Sequence, residues 1–557
     1  MKTMRMILSG FLLFASLYAN DGAIREIGLI GPQTETVDFH LYAKVCHVSA
    51  HNGSDQEGDG SPSNPWKTLG FALKNLTDAA ADHRYALLVA AGTYDAHTII
   101  MQEWIDLFGG YGPEDWKRDI FKYRSILDGM NVRRVIVGAN HARLDGFVVT
   151  RGLSRTHGAG ILCVDVSPLI SNNFILNNLV LEPDDFDFDH IHQRGNHGGG
   201  IAVLYNAVPV IRNNVIAENK TSIGCGGGVA FYGWLRMEGI VGPEMAGNFL
   251  VGGLQPVLRN NVLVDNVSGI NDVLRSRSSS GGAVLCAHEA RPFIQNNIMA
   301  NNRAMGRSDA GGIYSEFYAY PVIEGNWIIG NVCDDDGAAI YTMHSGQPLI
   351  RSNYIAGNWT TGGGAGGVRM SKEGRARIVD NIIVHNQSGD GVQCVDSYME
   401  LENNLIMHNP GSGLGYVQHF TYLMPSVVRN NIIRENVRTA INLREDIGHP
   451  LVIENNNVEG GFAGKGNYDQ EVDMVDDVLK GVVLTVAFSP QTYTTTVVVK
   501  LSGKTGSALA GRVIWIGERW GVIKTAAKDE LVVWGNLADH TAKGSECQIV
   551  SQYQLRK

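Results

Sequence analysis

The sequence has few cysteines, a deficit of basic residues and almost no long apolar run. Its seven cysteines are an odd number, and no two of them have the Cys-x-x-Cys spacing of zinc or redox motifs. Lys and Arg number 46 against 56 Asp and Glu, which argues against a nucleic-acid partner. No stretch of about eighteen apolar residues follows the N-terminal region, so no membrane-spanning helix is predicted.

The first residues have the pattern of an export signal. Lys2 and Arg5 precede an apolar run, Ile7–Tyr18, and the small residue Ala19. A short basic region, an apolar core and a small residue at the cleavage point are typical of a secretory signal peptide. We therefore predict that residues 1–19 are removed and that the protein is secreted or lies on the exterior of the cell envelope.

A tandem repeat fills the middle of the chain. Two asparagines separated by four residues recur nine times, and the residue two after the first asparagine is always large and apolar. The nine pairs are Asn173/Asn178, Asn214/Asn219, Asn261/Asn266, Asn297/Asn302, Asn326/Asn331, Asn353/Asn358, Asn381/Asn386, Asn404/Asn409 and Asn431/Asn436. Self-similarity at a spacing of roughly 20–50 residues indicates a solenoid.

The repeats have the pattern of strands, not helices. Most begin with a Gly or Ala pair and a short β-branched or aromatic run, such as Gly199–Val203 and Gly311–Ser315. No apolar period of about 3.6 residues persists through a repeat. Asparagine tolerates the left-handed backbone of a sharp turn, and asparagines stacked roughly 4.8 Å apart can bond to one another as a ladder. We predict an all-β fold, a right-handed parallel β-helix (a β-solenoid), with its hand taken from the preference for right-handed parallel crossovers.

The repeat pattern ends near Asn456, because Gly461 stands where the second asparagine is expected. Strand-like runs separated by turn residues then fill the rest of the sequence. The predicted segments are 1–19 (signal peptide), 20–132 (N-terminal helix-containing cap and first coils), 133–460 (parallel β-helix repeats), 461–480 (linker) and 481–557 (small C-terminal β domain).

The segment before the repeats resembles a known cap. A Gly-rich polar loop leads to Asn64-Pro-Trp-Lys-Thr68, a helical pattern over Leu69–Ala81, and Ala91-Gly-Thr-Tyr94. This order resembles the N-terminal cap of secreted bacterial right-handed parallel β-helix proteins of the pectate-lyase-like superfamily, and Phe108-Gly-Gly-Tyr-Gly112 resembles their first coils. The resemblance implies the fold for roughly residues 40–460. It does not choose an activity, because such folds include lyases, hydrolases, epimerases and non-enzymes.

Outward side chains on the first strand of successive repeats are expected to form one stripe. Alternate residues of a strand point to opposite faces, and neighbouring coils bring the outward ones within reach of each other. The outward residues and those that follow them are His288, Glu289, Tyr314, Glu316, Tyr341, His344, Arg369, Lys372, Gln393 and Asp396. Aromatic rings and charged hydrogen-bonding groups over several coils favour a polysaccharide partner.

Elimination from a uronic acid chain is one chemistry that this stripe could perform. A cation must neutralise the substrate carboxylate, a base must remove the adjacent proton and an acid must protonate the leaving oxygen. Arg369 or Lys372 could neutralise, and Tyr314, Tyr341 or His344 could act as base and acid.

Hydrolysis is the alternative chemistry and requires two carboxylates, about 5–5.5 Å apart for retention or about 6.5–9.5 Å for inversion. Asp309 and Asp336 each precede a strand by four residues, so we expect them roughly 4.8 Å apart, although both could instead cap their turns. Glu289 and Glu316 form a looser pair.

The sequence therefore predicts a carbohydrate-active protein that acts on an extracellular polysaccharide. A lyase is placed slightly ahead of a glycoside hydrolase, and a non-catalytic glycan-binding or adhesion protein is the third alternative. His288, Glu289, Gln393 and Asp396 are assigned to substrate binding and the remaining candidates to catalysis. No metal ligand is assigned, although the acidic cluster Asp184–His192 could bind calcium or simply be solvated. A monomer is predicted.

Overall fold

The computed structural model describes residues 27–184, 196–233, 255–271, 279–419, 425–445, 451–472, 474–475, 478–502, 509–550 and 554–555. The predicted signal peptide and nearly all of the acidic cluster at 184–192 lie outside the described residues.

The repeats form coils whose strands pair in parallel with those of the neighbouring coils. Going around one coil, the chain passes through sheet 1, the first asparagine, sheet 2, the second asparagine, sheet 3 in the central coils, and then sheet 4 after the Gly or Ala pair. Inward apolar side chains of successive coils form one continuous buried core. The predicted parallel β-helix is confirmed.

Sheet 1 has fourteen strands: Lys44–Val48, Tyr85–Ala90, Ile105–Tyr111, Arg143–Asp145, Leu169–Ser171, Val210–Arg212, Val257–Arg259, Phe293–Gln295, Val322–Glu324, Leu349–Arg351, Arg375–Val379, Tyr398–Glu402, Ser426–Arg429 and Leu451–Glu454. Sheet 2 has thirteen: Gly92–Tyr94, Ser125–Asp128, Phe147–Thr150, Phe174–Leu176, Val215–Ala217, Val262–Val264, Ile298–Ala300, Trp327–Ile329, Tyr354–Ala356, Ile382–Val384, Leu405–Met407, Ile432–Arg434 and Asn457–Val458.

Sheet 3 has seven short strands: Leu153–Ser154, Leu179–Val180, Lys220–Thr221, Val267–Ser268, Arg303–Ala304, Val332–Cys333 and Trp359–Thr360. Sheet 4 has twelve: Ile99–Ile100, Ile136–Val137, Ile161–Val164, Ile201–Leu204, Val229–Tyr232, Val284–Ala287, Ile313–Ser315, Ile340–Thr342, Val368–Met370, Val392–Val395, Ser412–Gln418 and Thr439–Glu445.

Asparagine ladders hold the two corners that flank sheet 2. The Asn326 backbone N–H donates to Asn353 Oδ1 at 2.9 Å, and Asn326 Nδ2 donates to the same oxygen at 3.0 Å. The same amide also donates to the backbone oxygen of Ile294 at 3.0 Å. All nine predicted pairs are buried. The first ladder also continues further than predicted, because Asn456 Nδ2 donates to Asn467 Oδ1 at 3.2 Å.

Among the described residues of the N-terminal cap there is one α-helix, Leu69–Lys74, which is shorter than the helical pattern over Leu69–Ala81 suggested. The Thr68 side chain accepts a hydrogen bond from Phe71 N at 3.2 Å and so begins the helix. The buried side chains of Leu69, Ala72 and Leu73 belong to the solenoid core and cover its first coils. Short 3-10 turns occur at Ile27–Leu29, Phe39–Leu41 and Ala538–His540.

The C-terminal part is a closed antiparallel β-barrel, which confirms the predicted small β domain. Around the barrel its strands are Leu479–Ser489, Thr494–Ser502, Glu530–Trp534, Arg519–Ala527, Val513–Ile516 and Glu546–Ile549. Two short strands, Met474–Val475 and Gln554–Leu555, pair antiparallel beside it. The interior of the barrel has its own apolar cluster.

The barrel packs against the outer face of sheet 2. Outward apolar side chains of sheet 2 and barrel residues form a single buried cluster, which includes Trp520. Asn301 Nδ2 donates to the backbone oxygen of Trp520 at 2.7 Å, and Trp520 N donates to Asn301 Oδ1 at 3.0 Å. Trp327 Nε1 donates to the Gly511 backbone oxygen at 3.1 Å, and Arg519 forms an ion pair with Asp265. The barrel is thus fixed to the middle coils.

A segment near the start of the described chain, Ile27–Tyr42, also lies along the coils. The Glu35 carboxylate pairs with Arg143 Nη2 at 2.7 Å and Arg212 Nη1 at 2.6 Å. Partial burial opposes ionisation, but the bonds and charges of these arginines lower the pKa of Glu35 to about 2. Gly31, with φ of +83°, lies against the barrel, since a Cβ there would be 2.4 Å from the Trp534 ring.

Candidate functional site

The predicted stripe lies on the outer face of sheet 4. Strand Ile313–Ser315 pairs with Val284–Ala287 on one side and Ile340–Thr342 on the other, which places Tyr314 opposite Tyr341. The two tyrosine rings lie 5.9 Å apart between centroids. They are only 6% and 3% exposed, so these side chains are buried within a small apolar cluster on this face and do not project into solvent.

Three carboxylates meet at the turn that precedes these strands. One carboxylate oxygen from each of Asp309, Asp335 and Asp336 lies within 4.8 Å of the others. The backbone N–H of Asp336 donates to Asp309 Oδ1 at 3.2 Å, which joins two neighbouring coils. Sequence reasoning found Asp309 and Asp336 but missed Asp335; the run of three consecutive aspartates from Asp334 was the available signal.

Asp309 and Asp336 have different electrostatic surroundings. Burial raises the pKa of Asp309 well above its usual value, and the neighbouring charges of Asp336 and Asp335 raise it further. Asp336, in contrast, pairs directly with Arg369, whose Nη2 lies 3.0 Å from Asp336 Oδ2. One carboxyl group of the pair is therefore favoured in its protonated form while a cation neutralises the other.

Arg369 links the aspartates to two further coils. Its Nη1 donates to Gln393 Oε1, and Gln393 Nε2 donates to Asp390 Oδ2 at 3.0 Å. The guanidinium carbon also lies 5.9 Å from the centroid of the Tyr341 ring. Asp390 was not predicted from the sequence, although its buried carboxylate joins the site through this bond to Gln393. Asp309, Asp336, Arg369 and Gln393 thus form one connected polar network.

A second group of predicted residues surrounds Tyr314. Its hydroxyl donates to Glu316 Oε2 at 3.1 Å, and the same oxygen lies 3.8 Å from His344 Nδ1. Burial and the carboxylates of Glu316 and Asp309 raise the pKa of Tyr314 well above its usual value. The Tyr341 hydroxyl lies 2.5 Å from Ser371 Oγ, and burial also raises the pKa of Tyr341. Neither tyrosine is an effective base at neutral pH in these surroundings.

The remaining predicted residues lie at the opposite ends of the strands. His288 and Glu289, like Lys372 and Glu373 three coils further on, form a two-residue left-handed turn with φ between 48° and 64°. Lys372 is exposed, and Asp396 pairs with His419 at 3.0 Å. Geometry therefore does not bring His288, Glu289, Lys372 or Asp396 to the aspartates.

An aromatic stack crosses this face with one ring in each of six successive coils. The centroid distances are 5.2 Å from His157 to His197, 5.2 Å to Tyr232, 4.5 Å to His288, 4.9 Å to Phe317 and 4.9 Å to His344. Phe317 was missed because only polar residues and tyrosines were sought there. Since most of these rings lie nearly parallel to their neighbours, the ring faces are occupied by one another and cannot stack on a sugar.

The aspartates do not fit a metal ion. They are the one cluster of metal-ligating side chains within the described part of the chain. Calcium takes about 6–8 oxygen ligands, whereas the Arg369 cation already occupies a position 3.0 Å from Asp336. The calcium alternative at 184–192 lies outside the described residues.

The raised pKa of Asp309 predicts a gain in stability when the charge is removed. A carboxyl whose pKa is higher in the folded than in the unfolded state stabilises the fold below the unfolded value, about 3.9, and this stabilisation is lost as the pH rises through the folded pKa. We expect Asp309→Asn to raise Tm, and we expect the difference in Tm between the variant and the wild type to be larger at about pH 8 than at about pH 4. Calorimetry at both pH values tests this, with exposed Asp82→Asn as the control; an equal difference at both would contradict the assignment.

A family model described as the right-handed β-helix region matches residues 260–424. The coils are a right-handed β-helix. No curated protein sequence matches this chain. No helix among the described residues has both the length and the apolar character needed to cross a membrane.

Solved structures with similar features have very low identity to this chain. A GH136 lacto-N-biosidase from Eubacterium ramulus shares 12% identity over 74% of this chain and 67% of its own, with a TM-score of 0.35. A mutant tailspike protein of E. coli bacteriophage HK620 shares 9% over 91% and 93%, with a TM-score of 0.25. The ORF18 protein of Geobacillus virus E2 shares 10% over 92% and 79%, with a TM-score of 0.18. These values are too low to assign an activity.

Proposed function

We propose that the protein hydrolyses glycosidic bonds of a polysaccharide at the pair formed by Asp309 and Asp336. The observation that carries the proposal is geometric. Two carboxylates from neighbouring coils lie within 4.8 Å, and among the described residues only Asp336 of the pair has a cation, Arg369, as its partner. Glycoside hydrolysis needs one carboxylic acid and one carboxylate on either side of the scissile bond, and unequal surroundings are the usual means of obtaining them.

The roles follow from the electrostatics. Asp309, whose pKa is raised, protonates the leaving glycosidic oxygen, and Asp336, ionised beside Arg369, attacks the anomeric carbon. At no more than 4.8 Å between these oxygens, the separation is well below the roughly 6.5–9.5 Å of inverting enzymes and nearer the roughly 5–5.5 Å of enzymes that retain configuration. Water then attacks the glycosyl-aspartate, and Asp309, now ionised, accepts the proton from that water. Arg369 stabilises the Asp336 carboxylate before it attacks and again when water releases it from the neutral ester.

The same contacts weigh against β-elimination, the chemistry that the sequence placed first. A lyase needs a cation that is available to the substrate carboxylate, whereas Arg369 is already bonded to Asp336 and Gln393. The candidate bases Tyr314 and Tyr341 are buried, and their pKa values are raised. Lys372 is exposed but lies at the far end of its strand.

The proposal keeps the other two expectations made from the sequence. It places the protein outside the cell, as the signal-like residues 1–19 predict, and it takes a polysaccharide as the partner. A monomer remains the predicted state.

To test the proposal, the protein without its predicted signal peptide (residues 20–557) is incubated with a panel of neutral and acidic polysaccharides. We expect new reducing ends without the ultraviolet absorbance of unsaturated products. Asp309→Asn should lower kcat by about 100-fold, within the range usual for acid–base groups, and Asp336→Asn, which removes the nucleophile, should lower kcat at least as much. Asp334→Asn is the matched control, since Asp334 adjoins the cluster but pairs with Arg303 at 3.6 Å.

Two results would contradict the proposal. Absorbance that rises together with reducing ends would establish β-elimination and would return attention to Arg369 and Lys372. Binding of a polysaccharide without either signal would establish a glycan-binding protein.

A further inference from the structure

A separate cavity lies at the other end of the sheet 4 strands from the aspartates. It has a volume of about 260 Å³ and opens beside the ends of strands Ile161–Val164, Ile201–Leu204 and Val229–Tyr232. Pockets for drug-sized ligands have roughly 300–1,000 Å³, so this one suits a single sugar ring. Much of its wall is apolar, formed by side chains such as Ala207, Val208 and Pro256.

Arg291 supplies hydrogen-bond donors to this cavity. Its guanidinium carbon lies 4.8 Å from the centroid of the Tyr320 ring, which fixes the planar group by stacking. Among the described residues, Arg291 has no hydrogen bond or ion pair. Such a group at a cavity wall can donate to a ligand without giving up another partner.

Asp165, three coils away from Arg291, supplies an acceptor to the cavity. Its Oδ1 accepts from the backbone N–H of Asn206 at 3.1 Å and from Asn206 Nδ2 at 2.9 Å, which orients the carboxylate. Within the described part of the chain Oδ2 has no hydrogen-bond partner, so it can accept from a hydroxyl group. Glu289 also lines the cavity.

We propose that this cavity binds one neutral pyranose residue of a glycan. Arg291 and Asp165 provide a donor and an acceptor for hydroxyl groups, and the apolar walls suit the C–H face of the ring. Among the described residues that line the cavity, the charged side chains are two carboxylates, Asp165 and Glu289, and one cation, Arg291. The resulting negative charge disfavours an acidic sugar, because its own carboxylate would meet like charges. This inference goes beyond hydrolysis, since binding here does not require the aspartate pair to be catalytic.

The experiment is ligand-observed NMR with defined monosaccharides. The methyl glycosides of glucose, galactose and mannose are titrated against the protein, and then the matching uronates. We expect at least one neutral glycoside to bind and its uronate to bind at least tenfold more weakly. A uronate that binds as tightly as its neutral partner would overturn the proposal, as would the absence of binding by all three neutral glycosides.

Variants assign the binding to this cavity. Arg291→Gln should weaken the neutral glycoside at least tenfold, whereas Arg438→Gln, at an exposed arginine, should not. Asn206→Trp should block the cavity from an exposed position and abolish binding while Arg291 stays in place. Unchanged binding in both cavity variants would place the glycoside elsewhere and overturn the proposal.

Titrations on the Asp309→Asn background separate the two proposals. If a monosaccharide binds but the wild-type protein hydrolyses no polysaccharide, the cavity assignment stands and the proposed hydrolase activity is wrong. If polysaccharide is hydrolysed but no monosaccharide binds, the hydrolase proposal stands and the cavity assignment is wrong.

Discussion

Asn358→Ala is expected to lower the free energy of unfolding by about 4 kcal/mol, since each buried polar group left unpaired costs about 1–3 kcal/mol. Asn358 Oδ1 accepts from Asn331 N at 2.9 Å and Asn331 Nδ2 at 3.0 Å. Its Nδ2 donates to Asn386 Oδ1 at 2.9 Å, Ile328 O at 2.9 Å and Ala356 O at 3.1 Å. Alanine therefore removes partners from three consecutive coils at a fully buried position.

Denaturant unfolding followed by circular dichroism measures this change. Gln387→Ala is the control, because Gln387 is exposed beside the next asparagine of the same ladder, and exposed changes are usually within about 0.5 kcal/mol. If both substitutions cost the same small amount, the side-chain ladder would contribute little and the backbone pairing alone would hold the coils.

Trp520→Ala is expected to cost about 3–5 kcal/mol, as for a large buried aromatic side chain, and to loosen the barrel from the solenoid. Trp520 is 2% exposed, and its ring packs against Gly330 and Gly357, which lie at the corner that follows sheet 2 in two neighbouring coils. A Cβ on Gly330 would be 2.6 Å from the Trp520 ring, and one on Gly357 would be 2.2 Å from it.

The backbone alone does not require these glycines. Each coil has a positive φ at this corner, and the equivalent positions elsewhere include Asn177, Asn301 and His385. Glycine is found in the two coils on which the indole lies, so we attribute it to the close approach of Trp520.

Gly357→Asn tests that attribution. Asparagine accepts the left-handed φ of 70° but would collide with Trp520, so we expect proteolytic release of the barrel, detected by mass spectrometry. Trp520→Ala should suppress most of the additional effect of Gly357→Asn in the double variant, because the collision is then absent. Gly363→Asn is the control, since Gly363 has φ of +85° and nothing lies within 4 Å of its Cβ position. Equal effects of the two asparagines would assign the cost to the backbone.

The fold could be predicted because its determinants are local and repeated. An asparagine pair defines two corners within six residues, and the same pattern in neighbouring coils fixes the register. The docking of the barrel had a signal that was not used. Trp327, Ile329 and Tyr354 lie on the outer face of sheet 2, where a solvent-facing position would be polar, and such an apolar surface indicates a covering element.

The sequence predicted which residues of the candidate site lie next to one another on neighbouring coils, but not how deeply they are buried. Alternation placed Tyr314 and Tyr341 on the outer face, yet whether that face is open depends on apolar neighbours such as Met343 and Ala310 that also lie there. The partners of Arg369 depend on the directions of long side chains, which strand periodicity does not determine. Asp309 and Asp336 were predictable because both stand at the same distance before their strands.

The contact between Gly31 and Trp534 has a consequence for how the molecule is assembled. Coils need only their neighbours, so the solenoid can form progressively as the chain leaves the ribosome. The segment that carries Gly31 emerges early, yet its neighbour Trp534 emerges only after every coil has been made. The contact between Gly31 and Trp534 therefore forms last. A nascent chain arrested before the barrel is made can have folded coils but lacks this contact. Because Glu35 already pairs with Arg143 and Arg212 of the coils, only the part of the protease resistance around Gly31 that depends on Trp534 reports that the barrel has formed.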